Sequence, residues 1–295
     1  MSTAFSSIPI VDLSRLQDPK TKSDELAVLR NAVFNIGFLY LTKTGLEQFD
    51  FGTECKDWSE DEPFWQRIEG PSQYPNDSIK DLVQRYTSGM SEIGRQFVRF
   101  VAECLSLPAD TFDTFLGEMS RMKLVKYPPA APGSQGVGAH KDGIGLFTFL
   151  AQDSVGGLQV LNKAGDWIEA TPIEGSIVVN VAQGFEAITG GVCSGTTHRV
   201  VAPTSTTRYS IPFFQAVRLN LELEELKRST VAIVAKIPVS DDKKKRAVDV
   251  PSELISPLYA CFGEAQLRNR IISHPEVGQK WYPDLYEKYS KMAMA

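Results

Sequence analysis

The chain changes its hydrophobic period near Met122, and this change is the feature that most constrains its fold. Before it, apolar residues recur at intervals of three and four, the spacing of a helix that packs on one face. After it, and as far as about residue 217, short apolar runs such as 145–150 and 176–181 are separated by turn residues. Several short strands at this spacing predict a β-sandwich or a β-barrel that follows a helical region.

The composition is that of a globular protein without a nucleic-acid footprint. The 295 residues could form one large domain or two small ones, and 42% of them are hydrophobic, enough for a sizeable core. The formal net charge is −5 and the basic residues are scattered, whereas a nucleic-acid site would need clustered lysine and arginine. The one dense basic run, 243–246, follows two aspartates, and we interpret it as a solvated loop.

The cysteines and the N-terminus indicate a cytoplasmic protein with no membrane partner. The four cysteines are isolated in sequence, and we interpret them as reduced thiols. Residues 1–9 lack the basic flank and apolar stretch of a signal peptide. No run approaches the roughly 18 apolar residues of a membrane span.

Two of the three histidines lie in the strand-rich segment, together with a nearby carboxylate. His140 and Asp142 are two positions apart, so on extended backbone their side chains leave from the same face. With the distant His198 they make up the ligand set of a facial triad, which leaves adjacent coordination positions open and suits non-haem Fe(II). His274 lies in a C-terminal helical region, and we interpret it as a helix-end or surface residue rather than a fourth ligand.

Arg208 and Ser210 repeat the same spacing further along the chain. A guanidinium and a hydroxyl that project from one face of a strand can hold a carboxylate. Alone, either pair is commonplace: His-x-Asp occurs widely, and Arg-x-Ser on a strand is usually exposed or supports a turn. Their combination in this order is what indicates a metal centre beside an anion site.

Further motifs accompany these residues in a fixed order. They are Lys126-Tyr127-Pro128-Pro129, the run 155–160, Trp167, the run 175–180, His198-Arg199-Val200 and Arg208-Tyr209-Ser210. Together with His140-x-Asp142 they resemble the Fe(II)/2-oxoglutarate-dependent oxygenases of the isopenicillin N synthase-like branch, from about residue 8 to residue 281.

The resemblance implies an α+β fold with a double-stranded β-helix core, a cupin-like jelly roll, over about residues 120–217. We interpret 1–295 as one domain, with a helical and strand part over about 1–119 and C-terminal helices over about 218–295. Strands are expected at 8–13 and 38–41. Helices are expected at 22–35, from Ser78 as cap to Cys104, from Pro108 as a short helix, and at 219–229, 251–270 and 283–292.

The resemblance also implies the cofactors. Fe(II) would be held by His140, Asp142 and His198, and 2-oxoglutarate would chelate it through its ketone and C1 carboxylate. The far carboxylate of 2-oxoglutarate would meet Arg208 and Ser210, and O2 would take the last position on the iron.

Several other residues receive a role by resemblance or by strand parity. Tyr127 would contact the cosubstrate or simply pack. Asn180 would lie beside the iron or serve strand bonding. The residues Gly145, Leu146 and Phe147 would line the cosubstrate end. Phe214 and Lys123 would bind substrate, Lys123 through a substrate carboxylate, while Lys141 would point away from the iron. The proline-rich segment 55–77 would be either a substrate-side lid or a packed structural loop.

Three functional hypotheses remain open from the sequence. The first is a 2-oxoglutarate-dependent hydroxylase or desaturase of a small metabolite, in secondary metabolism or acting on a free amino acid. The second is an oxidase or oxidative cyclase of the same fold that does not use 2-oxoglutarate. The third is a metal-free binding protein that has kept the fold.

Overall fold

The structure is a computed structural model that describes residues 7–42, 53, 59, 61–74, 76–143, 145–237 and 259–293. The basic run 243–246, most of the segment 55–60 and the first part of the expected helix 251–270 lie outside the described residues.

The described strands form two sheets. They are β1 (Ile10–Asp12), β2 (Phe38–Thr42), β3 (Arg121–Met122), β4 (Val125–Tyr127), β5 (Gln135–His140), β6 (Phe147–Gln152), β7 (Leu158–Leu161), β8 (Trp167–Glu169), β9 (Ser176–Val181), β10 (His198–Val201) and β11 (Arg208–Phe214). The larger sheet has the order β1-β2-β9-β6-β11-β3, with β4 also paired to β11. The smaller sheet has the order β5-β10-β7-β8.

The central strands of the larger sheet are apolar on both faces because each face covers a different core. Val179 and Phe149 belong to a core shared with the long helix, whereas Val178 belongs to a second cluster shared with Leu158 and Val200 of the smaller sheet. Successive side chains of a strand point to opposite faces. The space between the two sheets is therefore a separate interior, lined by every second residue.

Three of the described α-helices precede β3, four follow β11, and one lies between β9 and β10. They are α1 (Leu13–Gln17), α2 (Lys22–Asn31), α3 (Asp77–Cys104), α4 (Gln183–Ile188), α5 (Leu223–Val234), α6 (Phe262–Ser273), α7 (Pro275–Trp281) and α8 (Pro283–Ala293). No helix among the described residues is long and apolar enough to cross a membrane.

The long helix α3 supports the larger sheet. The Phe97 ring packs edge-on against Phe147 and Phe149 of β6, with ring centres 5.0 and 5.5 Å apart. The cap is Asn76, whose Oδ1 accepts from the Ile79 amide at 3.0 Å, so the expectation that Ser78 caps this helix was wrong. Ser78 lies inside the first turn and donates its hydroxyl to Asn76.

Other boundaries differ from the sequence expectations. The helix expected at 22–35 becomes a π turn from Ala32 and ends at Gly37, which has a φ of +79°. The helix expected from Pro108 is only a 3-10 turn at Asp113–Phe115. The helix expected at 219–229 begins at Leu223, and α7, which has Pro275 in its first turn, was not foreseen.

The described part of the proline-rich segment is docked on the C-terminal helices. It contains a 3-10 helix, Phe64–Ile68, and the Trp65 ring packs so closely on Gly263 of α6 that a Cβ there would lie 2.5 Å from it. Arg121 donates to the Ile68 carbonyl at 2.5 Å. These contacts favour the packed-loop alternative over the lid for residues 64–68.

Removing the Phe97 ring tests the contact between α3 and the larger sheet. Phe97 is fully buried, so Phe97→Ala should lower the free energy of unfolding by about 3–5 kcal/mol. Arg95→Ala, on the exposed side of the same helix, should change it by less than about 0.5 kcal/mol. Urea unfolding of the apo protein measures both, and an equal loss in the two variants would contradict this packing.

Candidate metal centre

The structure brings His140, Asp142 and His198 together at one end of the smaller sheet. His140 ends β5 and His198 begins β10, and the two are direct partners in the antiparallel pair. Asp142 follows β5, and its Oδ1 lies 3.6 Å from His140 Nε2 and 3.7 Å from His198 Nε2. One ligand atom from each residue lies within 4.8 Å of the others, so the group could hold a metal ion.

Backbone carbonyls set the orientation of both histidine rings. His140 Nδ1 lies 2.7 Å from the Gly138 carbonyl, and His198 Nδ1 lies 3.0 Å from the Thr196 carbonyl. A carbonyl oxygen can only accept, so each Nδ1 carries the proton and donates it. Each Nε2 therefore keeps its lone pair toward the cluster, as second-sphere hydrogen bonds of metal-binding histidines usually arrange.

The two oxygens of Asp142 are held differently. Oδ2 accepts from the Thr148 hydroxyl at 2.7 Å and from the Asn180 amide at 2.8 Å. Thr148 and Asn180 are direct partners across β6 and β9 in the larger sheet. Because Oδ2 is engaged by two donors, Oδ1 is the oxygen that faces the two imidazoles.

The electrostatics keep this buried carboxylate ionised. Burial would raise the pKa of Asp142, but the neighbouring imidazoles of His198 and His140 and the hydrogen bonds donated by Asn180 and Thr148 hold the pKa well below its usual range. Burial lowers the pKa of His198. The centre thus presents a carboxylate anion, which a divalent cation would neutralise.

The cluster is open on one side only. The side chain of His140 is 40% exposed, against 7% for Asp142 and 10% for His198. Lys123 lies on the open side, with its Nζ 5.8 Å from the centre of the Phe214 ring. The Asp142 carboxylate raises the pKa of His140, and the nearby Lys123 charge opposes this effect.

A second polar group lies deeper between the sheets. Arg208 begins β11 and is fully buried, with its guanidinium carbon 4.7 Å from the Tyr127 ring centre. Its Nη2 donates to Gln152 Oε1 at 3.1 Å, whereas Nε and Nη1 have no hydrogen-bond partner among the described residues. Ser210 donates to the Tyr127 hydroxyl at 3.4 Å. An incompletely paired buried guanidinium is unfavourable unless an anion joins it.

The two groups share one interior. Thr148, which holds Asp142, and Gln152, which holds Arg208, lie four residues apart on the same face of β6. Along a strand that spacing is about 13 Å. The interior therefore runs from the half-exposed His140 to the fully buried Arg208.

Two of the sequence assignments need correction and two residues were missed. Leu146 and Phe147 lie in the core shared with α3, so they do not line the interior near Arg208 as expected. Thr148 and Gln152 were not foreseen as site residues. The signal for both was a polar residue in a strand that is otherwise apolar, but their partners depend on pairing with distant strands.

The structure also shows what the side chains of Asn180 and His274 contact. Asn180 contacts Asp142 through its side chain, and its backbone also takes part in strand pairing. His274 caps the end of α6, where its Nδ1 lies 3.3 Å from the Arg270 carbonyl, as expected for a helix-end histidine.

Comparison with known proteins places this geometry in a family. The family model described as the 2OG-Fe(II) oxygenase superfamily matches residues 119–216, a range that includes the whole cluster and Arg208. The chain is 33% identical to the 2-oxoglutarate-dependent dioxygenase frbJ of Dothideomycetidae sp. (strain 11243), over 96% of this chain and 94% of that protein. It is 29% identical to a 2-oxoglutarate-dependent dioxygenase of Gibberella zeae, over 99% and 95% of the two chains.

A solved structure is similar in fold. A full-length Neurospora crassa protein, crystallised in complex with alpha-KG and 5-formyluracil, superimposes with a TM-score of 0.65 at 21% identity, over 89% of this chain and 95% of that one. The expected α+β fold with a double-stranded β-helix core is confirmed. The nearly full-length similarity to frbJ and the match over the strands that carry the cluster show that the chain belongs to the 2OG-Fe(II) oxygenase superfamily.

Proposed function

We propose that this 2-oxoglutarate-dependent dioxygenase binds its Fe(II) through His140, Asp142 and His198 and oxidises a C–H bond of a small metabolite. The observation that carries the assignment is the convergence of two Nε2 atoms and one carboxylate oxygen within 4.8 Å. Imidazole and carboxylate in this proportion are the ligands of the facial triad of non-haem iron oxygenases. The relatives' names favour use of 2-oxoglutarate over the oxidase and the non-catalytic alternatives.

The protein's own residues prepare the centre before any ion arrives. The Gly138 and Thr196 carbonyls fix the imidazoles with Nε2 toward the cluster. Thr148 and Asn180 hold one carboxylate oxygen and leave the other for the ion. When bound, iron, 2-oxoglutarate and O2 together supply the oxidising power that removes hydrogen from an unactivated carbon.

Arg208 is proposed to hold the distal carboxylate of 2-oxoglutarate. Its buried Nη1 lacks a partner among the described residues, and a carboxylate would supply the missing acceptor and the missing negative charge. Gln152 holds Nη2 and the Tyr127 ring lies against the guanidinium, so its orientation is set in advance. Ser210 and Tyr127 would add hydroxyl donors on the same side.

Lys123 and Phe214 are proposed to bind the substrate on the open side of the cluster. A cation beside an aromatic ring suits a substrate that carries a carboxylate and an apolar part. Both a free amino acid and an acidic secondary metabolite have this chemistry. Their position beside the exposed His140 would present such a substrate directly to the iron.

The proposal also covers the domain organisation of the enzyme, its cellular location and its partners. We propose that residues 1–295 act as one catalytic domain in the cytoplasm, without a nucleic-acid or membrane partner. Thiols outside any disulfide at Cys104 and Cys261 and the scattered basic residues support this setting.

Single ligand substitutions test the metal assignment. His140→Ala, Asp142→Ala and His198→Ala should each abolish turnover and retain little iron, because two ligands cannot maintain the facial geometry. His274→Ala is the matched control and should leave both properties unchanged. Iron content after anaerobic reconstitution and succinate release measure the effects, and a loss in His274→Ala equal to that in His198→Ala would refute the assignment.

Substitution of Arg208 tests the cosubstrate site. A hydrogen bond to a charged group contributes about 1.5–3 kcal/mol, and lysine cannot reproduce the guanidinium fork. Arg208→Lys should therefore weaken 2-oxoglutarate binding by roughly ten- to a hundredfold, and Ser210→Ala should weaken it less. Iron content should stay at the wild-type level in both.

The control for this experiment is Arg218→Lys, whose guanidinium already donates to the Thr114 carbonyl and Asn220. It should leave 2-oxoglutarate binding unchanged. Turnover by the wild-type enzyme without 2-oxoglutarate would contradict the cosubstrate assignment and would give Arg208 to the substrate's own carboxylate.

A comparison of acids with their methyl esters tests Lys123. In a screen for succinate release, metabolites with a carboxylate should release succinate faster than their methyl esters. Lys123→Met should lower the ratio of the two rates by about tenfold, because it removes the positive charge that pairs with the substrate carboxylate. Lys126→Met is the control, because Lys126 is exposed on β4, where it pairs with Tyr209 of β11. An unchanged preference in Lys123→Met would remove Lys123 from the substrate site.

A further inference from the structure

Lys141 lies between two of the proposed ligands but is buried in another environment. Its side chain is only 4% exposed, and its Nζ lies 3.7 Å from Glu186 Oε2 of α4. The Glu186 side chain is itself only 10% exposed. This buried ion pair therefore joins the segment that carries His140 and Asp142 to α4.

The same carboxylate also reaches the segment that leads to His198. Glu186 Oε2 accepts from the Gly195 amide at 2.9 Å, three residues before His198. The Glu186 carbonyl accepts from the Gly191 amide at 2.8 Å and closes the turn after α4. One side chain therefore contacts both parts of the chain that supply the proposed ligands.

The position of α4 is fixed on the ligand segment by the backbone as well. The Gln183 amide donates to the Asp142 carbonyl at 2.9 Å, and the Gly184 amide donates to the Gly145 carbonyl at 3.0 Å. A Cβ on Gly184 would lie 2.3 Å from the Gly145 oxygen, so this close approach requires glycine. The backbone of α4 is therefore anchored on the ligand segment, and this anchoring fixes the position from which the Glu186 side chain contacts Lys141 and Gly195.

The strand ladder constrains His198 unequally on its two sides, because β10 pairs in regular register with β7, where His198 faces Val160, but irregularly with β5. The pairing of β10 with β5 shifts register between His198 and Val200, and again between Val200 and Val201. Such an irregularity disrupts the ladder locally and bends the strand. The contact between Gly195 and Glu186 supplies a constraint that the β5–β10 pair does not.

We propose that Lys141 and Glu186 form a positioning pair that holds the two ligand-bearing segments at the separation the metal requires. The proposal rests on the function proposed above. Glu186→Gln removes a buried charge beside Lys141, and Lys141→Met removes a buried charge beside Glu186; the structure can relieve either loss by moving or by admitting water. Either response would displace His140 and Asp142 relative to His198.

The test is Co(II) titration of the apo protein under anaerobic conditions, with visible absorption as a report on both affinity and geometry. Glu186→Gln keeps an acceptor for the Gly195 amide but removes the charge, and Lys141→Met removes the partner charge at similar length. Each should raise the Co(II) dissociation constant by about 10- to 100-fold and alter the absorption spectrum. The double variant should raise it by less than the product of the two single effects.

Glu25→Gln is the matched control for lost stability. Glu25 is also buried, accepts from Arg15 at 2.8 Å, and accepts a backbone amide, that of Asp12, at 2.7 Å. It should lower the free energy of unfolding of the apo protein, as Glu186→Gln should, and leave Co(II) binding unchanged.

Wild-type Co(II) affinity and spectrum in Glu186→Gln, or multiplicative effects in the double variant, would overturn the positioning role. If Glu186→Gln does not fold, the double variant, which removes both charges of the pair, decides: weaker Co(II) binding supports the pair and wild-type binding refutes it. His198→Ala in the same titration keeps the two proposals distinct, because unchanged Co(II) binding there would refute the ligand assignment itself.

Discussion

The buried carboxylate of Asp142 is the group on which the arrangement of the site depends. An ionised carboxylate away from water is stable only when hydrogen bonds and opposite charge replace its hydration. Thr148 and Asn180 provide the hydrogen bonds from the middle of the larger sheet, and the imidazoles of His140 and His198 flank the remaining oxygen. The larger sheet therefore fixes the carboxylate and the smaller sheet carries the histidines, so the cluster exists only where the two sheets meet.

The two sheets can pack against each other at the cluster because both faces of the larger sheet are apolar and each face belongs to a different core. One face of the larger sheet packs on α3 through aromatic residues such as Phe97 and Phe147, and this packing supports the strands on the side away from the smaller sheet. The other face shares a smaller apolar cluster with the second sheet. Gln152 and Arg208 enter that second interior as a hydrogen-bonded pair.

The site could be predicted from sequence where residue type and spacing were sufficient. Three histidines leave few possible metal ligands, and strand parity placed His140 with Asp142 and Arg208 with Ser210. Thr148, Gln152 and Glu186 escaped prediction because their roles arise from pairing with distant strands or helices. Leu146 and Phe147 were assigned to the cosubstrate end by resemblance alone, whereas both pack in the core shared with α3. Asn76 and Ser78 could both cap a helix, and the sequence did not separate them.

The uneven exposure of the cluster has a consequence for how iron enters and leaves. Asp142 and His198 are enclosed by β6, β9 and the loop after α4, and their side chains cannot swing away without disturbing those elements. His140 lies at the edge, half open to water, and one hydrogen bond to the Gly138 carbonyl orients its ring. Rotation of this single ring would open the centre while the rest of the fold stays in place. With the ligands proposed above, the polypeptide would fold first and acquire its metal afterwards, and a chelator would compete for the ion from the His140 side without unfolding the protein.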